Sequence, residues 1–224
     1  MKKTTFSFNQ KRNEEILRRL KQHYPDAKIK LRFSNPFELL VATILSAQCT
    51  DERVNLVTEQ LFKKYKKPED FLEVSNEELE KDIFSTGFYK QKAKSLKSCC
   101  EALIKKFNGE IPKDIDELTK LPGVGRKTAS VVLGNAYSIP AIAVDTHVRR
   151  LSNIFHFVNT DDPIKIEEEL KKIIKKEEWV ITCHRIATHG REICLARKPK
   201  CEICFLNDIC PSAFLKTKSR KDKK

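Results

Sequence analysis

The chain has 224 residues, enough to bury one large core or two smaller ones. With 40% hydrophobic and 33% charged residues it has the composition of a globular protein, not of a disordered or membrane-embedded one. A formal charge of +13, from 44 Lys and Arg against 31 Asp and Glu, attracts polyanions and points to nucleic acid, against the plainer reading of a lysine-rich solubilising surface.

No apolar run approaches the roughly 20 residues needed to span a bilayer, so no membrane partner is expected. The basic start Met1-Lys2-Lys3 leads into Asn9-Gln10-Lys11-Arg12-Asn13-Glu14-Glu15 and not into an apolar signal core. A cytoplasmic location is therefore expected, associated with the nucleoid in a bacterium or with the nucleus in a eukaryote. The basic tail at 214–224 is expected to be disordered and to add non-specific affinity.

Helical signals dominate from the start. Asn35-Pro36-Phe37-Glu38 combines an N-cap, a first-turn proline and a glutamate three residues after the cap, ahead of the apolar run Leu39 to Ala47. Thr50 caps a helix with Val54, Val57, Leu61 and Phe62 on one face. Ser75-Asn76-Glu77-Glu78 repeats the capping pattern before Leu79 and Ile83. A longer helix is predicted from Tyr89 to Phe107, ended by Asn108-Gly109, and a short one from Asp114 to Lys120.

A tight break at Leu121-Pro122-Gly123-Val124-Gly125 precedes a helix from Arg126 to about Ala136. Ile139 to Val144 is predicted extended and buried. Helices at Thr146–Phe157, Pro163–Glu178 and Val180–Ile193 lead to a cysteine cluster. Almost nothing alternates as a strand does, so the fold class is all-α.

The chain holds only six glycines, and two of them fall within this break. Such a turn lets backbone approach a ligand, and the free N–H groups of the following helix suit a phosphate. Two short helices joined this way form a helix-hairpin-helix, which grips a DNA strand by its backbone; an ordinary helix–helix turn is the plain alternative. Lys127 lies in the first turn of the second helix. A free lysine is almost wholly protonated at neutral pH. A nucleophilic amine therefore needs partial burial, a helix N-terminus and a neighbouring cation such as Arg126. Such an amine forms a Schiff base with a sugar carbonyl, although in so lysine-rich a chain a solvated surface lysine is the commoner case.

Asp145 ends the extended run and precedes Thr146-His147-Val148. Its carboxylate is placed to cap the next helix, and also to stabilise a cationic sugar or take up a proton. Of eight cysteines, Cys49, Cys99, Cys100 and Cys183 read as core thiols. Cys194, Cys201, Cys204 and Cys210, in the spacing C-x6-C-x2-C-x5-C, ask for a metal: zinc or an iron–sulfur cluster. Only one C-x2-C pair is present, which leans toward iron–sulfur. Arg191, Arg197, Lys198 and Lys200 beside the ligands make the loop basic. His184 and His189 are expected to be helical surface or core residues rather than ligands.

Together, Leu121-Pro122-Gly123-Val124-Gly125-Arg126-Lys127-Thr128-Ala129, Val144-Asp145-Thr146-His147 and the cysteine spacing resemble the endonuclease III family of helix-hairpin-helix DNA glycosylases. Pro36-Phe37-Glu38-Leu39-Leu40 and Ser46-Ala47-Gln48 extend the likeness, which runs from about Leu31 to Cys210. The resemblance implies two helical domains flanking a DNA cleft. Residues 29–139 would form a six-helix domain with the hairpin, and 1–28 with 140–213 a second domain whose loop carries a [4Fe–4S] cluster on the four cysteines.

It further implies base-excision repair of damaged double-stranded DNA by a monomer. The enzyme would be a glycosylase for oxidised pyrimidines with AP lyase activity, Lys127 serving as nucleophile and Asp145 as its electrostatic and proton-transfer partner. The damaged base would be flipped from the stack, with Gln48 filling the space it leaves. Phe88 stands where the family commonly places a leucine wedge, and an aromatic side chain also unstacks a base step. Leu121, Gly123, Val124, Gly125, Arg126, Arg197, Lys198 and Lys200 would contact DNA. Gly134 departs from helix-forming chemistry inside the post-hairpin helix.

Other classes remain in view. Mismatch adenine glycosylases usually lack the lysine and carry a further C-terminal domain. Pyrimidine-dimer glycosylases share the lysine and the cluster. A non-enzymatic DNA-binding module would not require the pairing of Lys127 with Asp145.

Overall fold

The structure, a computed structural model, describes the backbone of residues 2–214 and the side chains of residues 10–214. The basic tail beyond Phe214 lies outside the described residues. Among those described there is no strand, and no helix is long and apolar enough to cross a membrane. Eleven α-helices are seen among them: α1 (Lys2–His23), α2 (Pro36–Leu45), α3 (Asp51–Lys64), α4 (Pro68–Glu73), α5 (Asn76–Ile83), α6 (Tyr89–Phe107), α7 (Ile115–Thr119), α8 (Arg126–Ala136), α9 (Thr146–Ile154), α10 (Pro163–Ile173) and α11 (Trp179–Glu192).

The chain divides into two compact units, Ile29–Ala141 and the segments on either side of it. In the central unit, α2 packs on α8, α6 on α4 and α5, and α7 on α8. Leu39, Leu40 and Leu45 of α2, Phe71 of α4, Leu79 and Ile83 of α5 and Leu96 and Leu103 of α6 are all but wholly buried. Each such side chain contributes about 1.5–3 kcal/mol by leaving water. The helix starts follow from side-chain caps: Asn35 Oδ1 accepts from the Glu38 N–H (2.9 Å), Thr50 Oγ1 from Arg53 (3.2 Å), Ser75 Oγ from Glu78 (3.1 Å) and Asp114 Oδ1 from Glu117 (3.0 Å).

In the other unit, α11 packs on α9 and α1, and α10 on α1 and α9. Its core joins Ile16 and Leu20 of α1, Leu151 and Phe155 at the end of α9, Ile166 and Leu170 of α10, Ile186 of α11 and Leu206 beyond it. Three helix ends differ from expectation. α2 stops at Leu45 and α9 at Ile154, because the residues that follow turn back on the helix ends: Ala47 N–H donates to Ile44 O and His156 N–H to Asn153 O. The predicted Pro163–Glu178 helix breaks after Ile173, where Ile174 turns extended (φ −110°, ψ 133°) to stay buried; its carbonyl accepts from the Trp179 indole (3.0 Å). The extended run 139–144 is only partly buried, with Ala141 and Ile142 alone in the core. α8 runs unbroken across Gly134.

Candidate active site and metal centre

The hairpin is made by α7, the turn Leu121–Gly125 and α8. Leu121 and Val124 are buried (2% and 5% exposed) and anchor the turn, so their side chains are unavailable to a ligand and only their backbone groups remain to contribute. Gly123 takes φ +78°, and a Cβ there would lie 3.0 Å from Ser95 Cβ on α6, so the turn needs glycine twice over. Gly125 needs it for neither reason. Its φ is −87° and the space around its Cα is open, which leaves the backbone bare. It N-caps α8 without any side-chain cap, so the positive end of the helix dipole points outward undiminished.

Lys127, in the first turn of α8, is exposed and not half-buried as expected, because the buried face of the helix begins at Ala129. Arg126 beside it is exposed as well. Two further candidate contacts in this unit, Gln48 and Phe88, are exposed on loops that precede α3 and α6. Both adopt left-handed backbone, with φ +54° and +48°. For a bulky aromatic residue that conformation is a genuine outlier, and such outliers gather at functional sites. Lys198 in the cysteine loop shares it (φ +53°).

Asp145, half-buried in the other unit, caps α9: its Oδ1 accepts from the Val148 N–H at 2.7 Å. The cap fixes the carboxylate and leaves its second oxygen for other work. Beside the first turns of α9 a groove is lined by His147, Arg149, Arg150 and Arg191, with Asp161 also on its wall, so three arginines share a single surface recess.

The four C-terminal cysteines line one cavity, with His189, Phe155 and Ile193. Among the described residues, no three His, Cys, Asp or Glu side chains converge closely enough to hold a single ion. Four thiols lining one cavity are the donor set of a cluster. The donor chemistry agrees. Burial pushes the Cys204 thiol up to about 11 and raises that of Cys210 as well, and the neighbouring cysteines add to both shifts. Ionising those two thiols here therefore calls for a resident cationic group.

The loop is tied down by Cys194 N–H to His189 O (2.8 Å), Lys200 N–H to Ile193 O (3.0 Å) and Cys210 N–H to Leu206 O (2.8 Å). Arg150 donates to the Cys194 carbonyl (2.6 Å), with its Nη1 3.9 Å from Cys194 Sγ. Arg19 of α1 grips Asp208 through two bonds (2.6 and 3.0 Å). Arg197, Lys198 and Lys200 are exposed around the loop.

Sequence reasoning left His189 as a helical residue without further role. It is fully buried, with Nε2 3.7 Å from Cys204 Sγ and Nδ1 3.3 Å from the Tyr24 hydroxyl. Burial holds its pKa down at about 4, with His23 and Arg150 adding to the effect, so the ring is neutral. The available signal was its place on the helix leading into Cys194, one turn before the first ligand. Cys49, expected in the core, is only half-buried.

A family model described as HhH-GPD superfamily base excision DNA repair protein matches residues 41–176, and one described as the iron-sulfur binding domain of endonuclease III matches 194–210. Fold and site thus define a base-excision DNA repair protein of the helix-hairpin-helix type with an iron–sulfur loop. The endonuclease III of Bacillus subtilis is 48% identical over 203 residues, covering 90% of this chain and 93% of that relative. A solved non-covalent endonuclease III–DNA complex matches with a TM-score of 0.89 at 49% identity, covering 93% of this chain and 98% of that one. A trapped endonuclease III–DNA covalent intermediate matches at 0.88 and 49%, covering 92% and 98%.

The chain belongs to the endonuclease III family. It is a DNA glycosylase with AP lyase activity, and its cofactor is a [4Fe–4S] cluster.

Proposed function

We propose that this enzyme removes oxidised pyrimidines from damaged double-stranded DNA through a Schiff base on Lys127, then cuts 3′ to the abasic site by β-elimination. The observation that carries this reading is the placement of Lys127. It is an exposed amine in the first turn of a helix whose N-terminus is uncapped and whose preceding turn bares its backbone at Gly125. A phosphate held at that N-terminus brings the adjacent sugar to the amine, and the DNA itself supplies the shelter from water that the free chain lacks.

In this reading the unprotonated Lys127 amine adds to C1′ while the C1′–base bond breaks. The departing base takes the bonding electrons and is protonated by water. Asp145, held by its cap, stabilises the cationic sugar and accepts the proton released by the attacking amine. Ring opening gives an imine between Nζ and C1′. Loss of a C2′ proton from it expels the 3′ phosphate, and water then frees the lysine. Gln48 and Phe88 enter the stack from their exposed loops, and Arg126, Arg197, Lys198, Lys200 and the backbone of Leu121–Gly125 hold the strand. Cys194, Cys201, Cys204 and Cys210 would hold the cluster, whose cationic core would gather the four thiolates and so pin the basic loop.

One chain carries both the nucleophile and its partner, so the reaction requires only a monomer. Its substrate in this reading is chromosomal DNA, met in the cytoplasm at the nucleoid of a bacterium or in the nucleus of a eukaryote.

Borohydride trapping tests the reading. Wild-type protein on a duplex with one thymine glycol should give a lesion-dependent covalent adduct, and Lys127→Ala should bind the same duplex and give none. Adduct formation by Lys127→Ala would sink the assignment. An adduct on a pre-formed abasic site but not on thymine glycol would keep the lyase chemistry and redirect the substrate, with pyrimidine dimers next in line.

A further inference from the structure

Lys92 is the anomaly in the central unit. It is a lysine with only 5% of its surface exposed, in a chain with cations to spare. Its Nζ donates to Leu45 O (2.8 Å) and to Thr86 O (2.8 Å). Leu45 is the last residue of α2, and its carbonyl has no partner within that helix. Thr86 ends the short 3-10 turn Phe84–Thr86. The Lys92 backbone N–H donates to Phe88 O (3.0 Å), the first hydrogen bond of α6. One residue thus ties together two chain segments that are far apart in sequence, and each of them leads directly to an exposed side chain in left-handed backbone. Leu45 leads through Ser46 and Ala47 to Gln48, and Thr86 leads through Gly87 to Phe88.

A non-glycine residue in that region of backbone persists only where its surroundings over-determine it. Ordinary loop hydrogen bonds hold each turn by itself: Cys49 N–H to Ser46 O (3.1 Å), and Gly87 N–H to Phe84 O (3.2 Å). Among the described residues, Lys92 bonds to both segments. An ammonium is suited to this because it carries several donors on one atom, so two carbonyls from different segments must converge on a single point. The arrangement comes at the expense of desolvating a charge, and burial lowers the lysine's pKa accordingly. A hydrophobic residue of similar volume would fill the space without that penalty.

We propose that Lys92 is a positioning residue, the strut that fixes the loops of Gln48 and Phe88 in the mutual geometry with which they enter the DNA stack. It touches neither substrate nor reacting atoms. The inference rests on the reading above that these two residues contact DNA. It adds that their spacing is set by one buried ammonium, and that this spacing limits base extrusion while leaving the lyase chemistry alone.

The test uses the cluster-loaded full chain under single-turnover conditions on two substrates. One is a duplex with a single thymine glycol, which must be opened. The other is a single-stranded oligonucleotide with an abasic site, which has neither a partner strand nor a base to extrude. Lys92→Met fills the space without donors. Its rate on the duplex should fall by about tenfold or more, as small misplacements of positioning groups do, while its rate on the single strand stays within about twofold of wild type. Lys92→Gln keeps a donor too short to span both carbonyls, and it carries the same expectation should Lys92→Met fail to fold.

Gln48→Ala and Phe88→Ala should each slow the duplex reaction, and Lys92→Met added to the pair should slow it little further, since the strut then has nothing left to hold. Equal losses on both substrates, an unchanged duplex rate, or full additivity with the Gln48 and Phe88 changes would each overturn the proposal. Wild-type duplex rates in both Gln48→Ala and Phe88→Ala would overturn instead the reading on which it rests.

Discussion

The hairpin of the central unit and the cysteine loop of the other unit solve the same problem, holding a loop in one geometry, by opposite means. The turn Leu121–Gly125 is held by the chain itself: two buried side chains, a glycine at φ +78° packed on Ser95, and a helix on each side. The surface proposed to hold DNA is bare backbone. The loop from Cys194 to Cys210 has few buried anchors of its own, Leu206 being the deepest, and its four thiols line one cavity in which burial, with the neighbouring cysteines adding to it, raises the pKa of Cys204 and Cys210. One loop is complete when folded; the other is completed by its cofactor. The hairpin should accordingly be damaged only by changes that alter backbone fit, and the cysteine loop by any change that loosens the cluster.

The largest effect is therefore expected from Cys204→Ser. Metal-binding free energy in such loops counts as folding free energy, so loss of one thiolate should strip the visible absorbance and the iron and free the loop. Hydrogen exchange should show 194–210 unprotected while the amides of α8 stay protected. Iron retained at the wild-type stoichiometry, or equal loss of protection in α8, would break the contrast between the two loops.

A middle-sized effect separates the two hairpin glycines. Gly123→Ala meets both an unfavourable φ and Ser95, and should destabilise the holoprotein by about 1–3 kcal/mol in urea unfolding. Gly125→Ala meets neither, and its stability should stay within about 0.5 kcal/mol of wild type. A methyl group on that bare backbone should nonetheless weaken binding to an abasic-site duplex, measured by fluorescence anisotropy. If Gly125→Ala bound as tightly as wild type, the backbone at this position would not be a DNA contact.

How much of this was legible in the sequence follows the same division. The end of α6 and the start of α8 could be read closely, because Asn108-Gly109 and the Pro-Gly-x-Gly turn are local signals with local causes. The cysteine spacing likewise announced a metal site, with zinc and iron–sulfur both fitting it. What could not be read was set by contacts between distant residues. Ile174 turns out of its helix to stay in the core with no proline or glycine to mark it. Lys127 is exposed because the buried face of α8 starts two residues later. Lys92 reaches a carbonyl 47 residues away, and His189 meets Cys204 only once α11 has been placed beside the loop. Left-handed backbone at Gln48 and Phe88 was equally hidden, since neither residue type asks for it.

Asp145 tests whether the contrast follows the unit or the means of support. It lies in the same unit as the cysteines, yet it is held as the hairpin is, by the chain alone, through the 2.7 Å bond from the Val148 N–H. Asn caps a helix about as well as Asp, while Ala forfeits roughly 1 kcal/mol. Asp145→Asn should thus unfold within a few tenths of a kcal/mol of wild type, with its cluster absorbance intact. Asp145→Ala should lose about 1 kcal/mol with the cluster equally intact, because the cap and the cavity share no bond. Both variants should remove thymine glycol slowly, since both lack the carboxylate charge proposed to act in the reaction. An Asp145→Asn enzyme as fast as wild type would reduce this residue to its cap. A loss of iron in either variant would mean that a change at the start of α9 reaches the cysteine loop through the Arg150 bond to the Cys194 carbonyl, and that the cofactor depends on the cap after all.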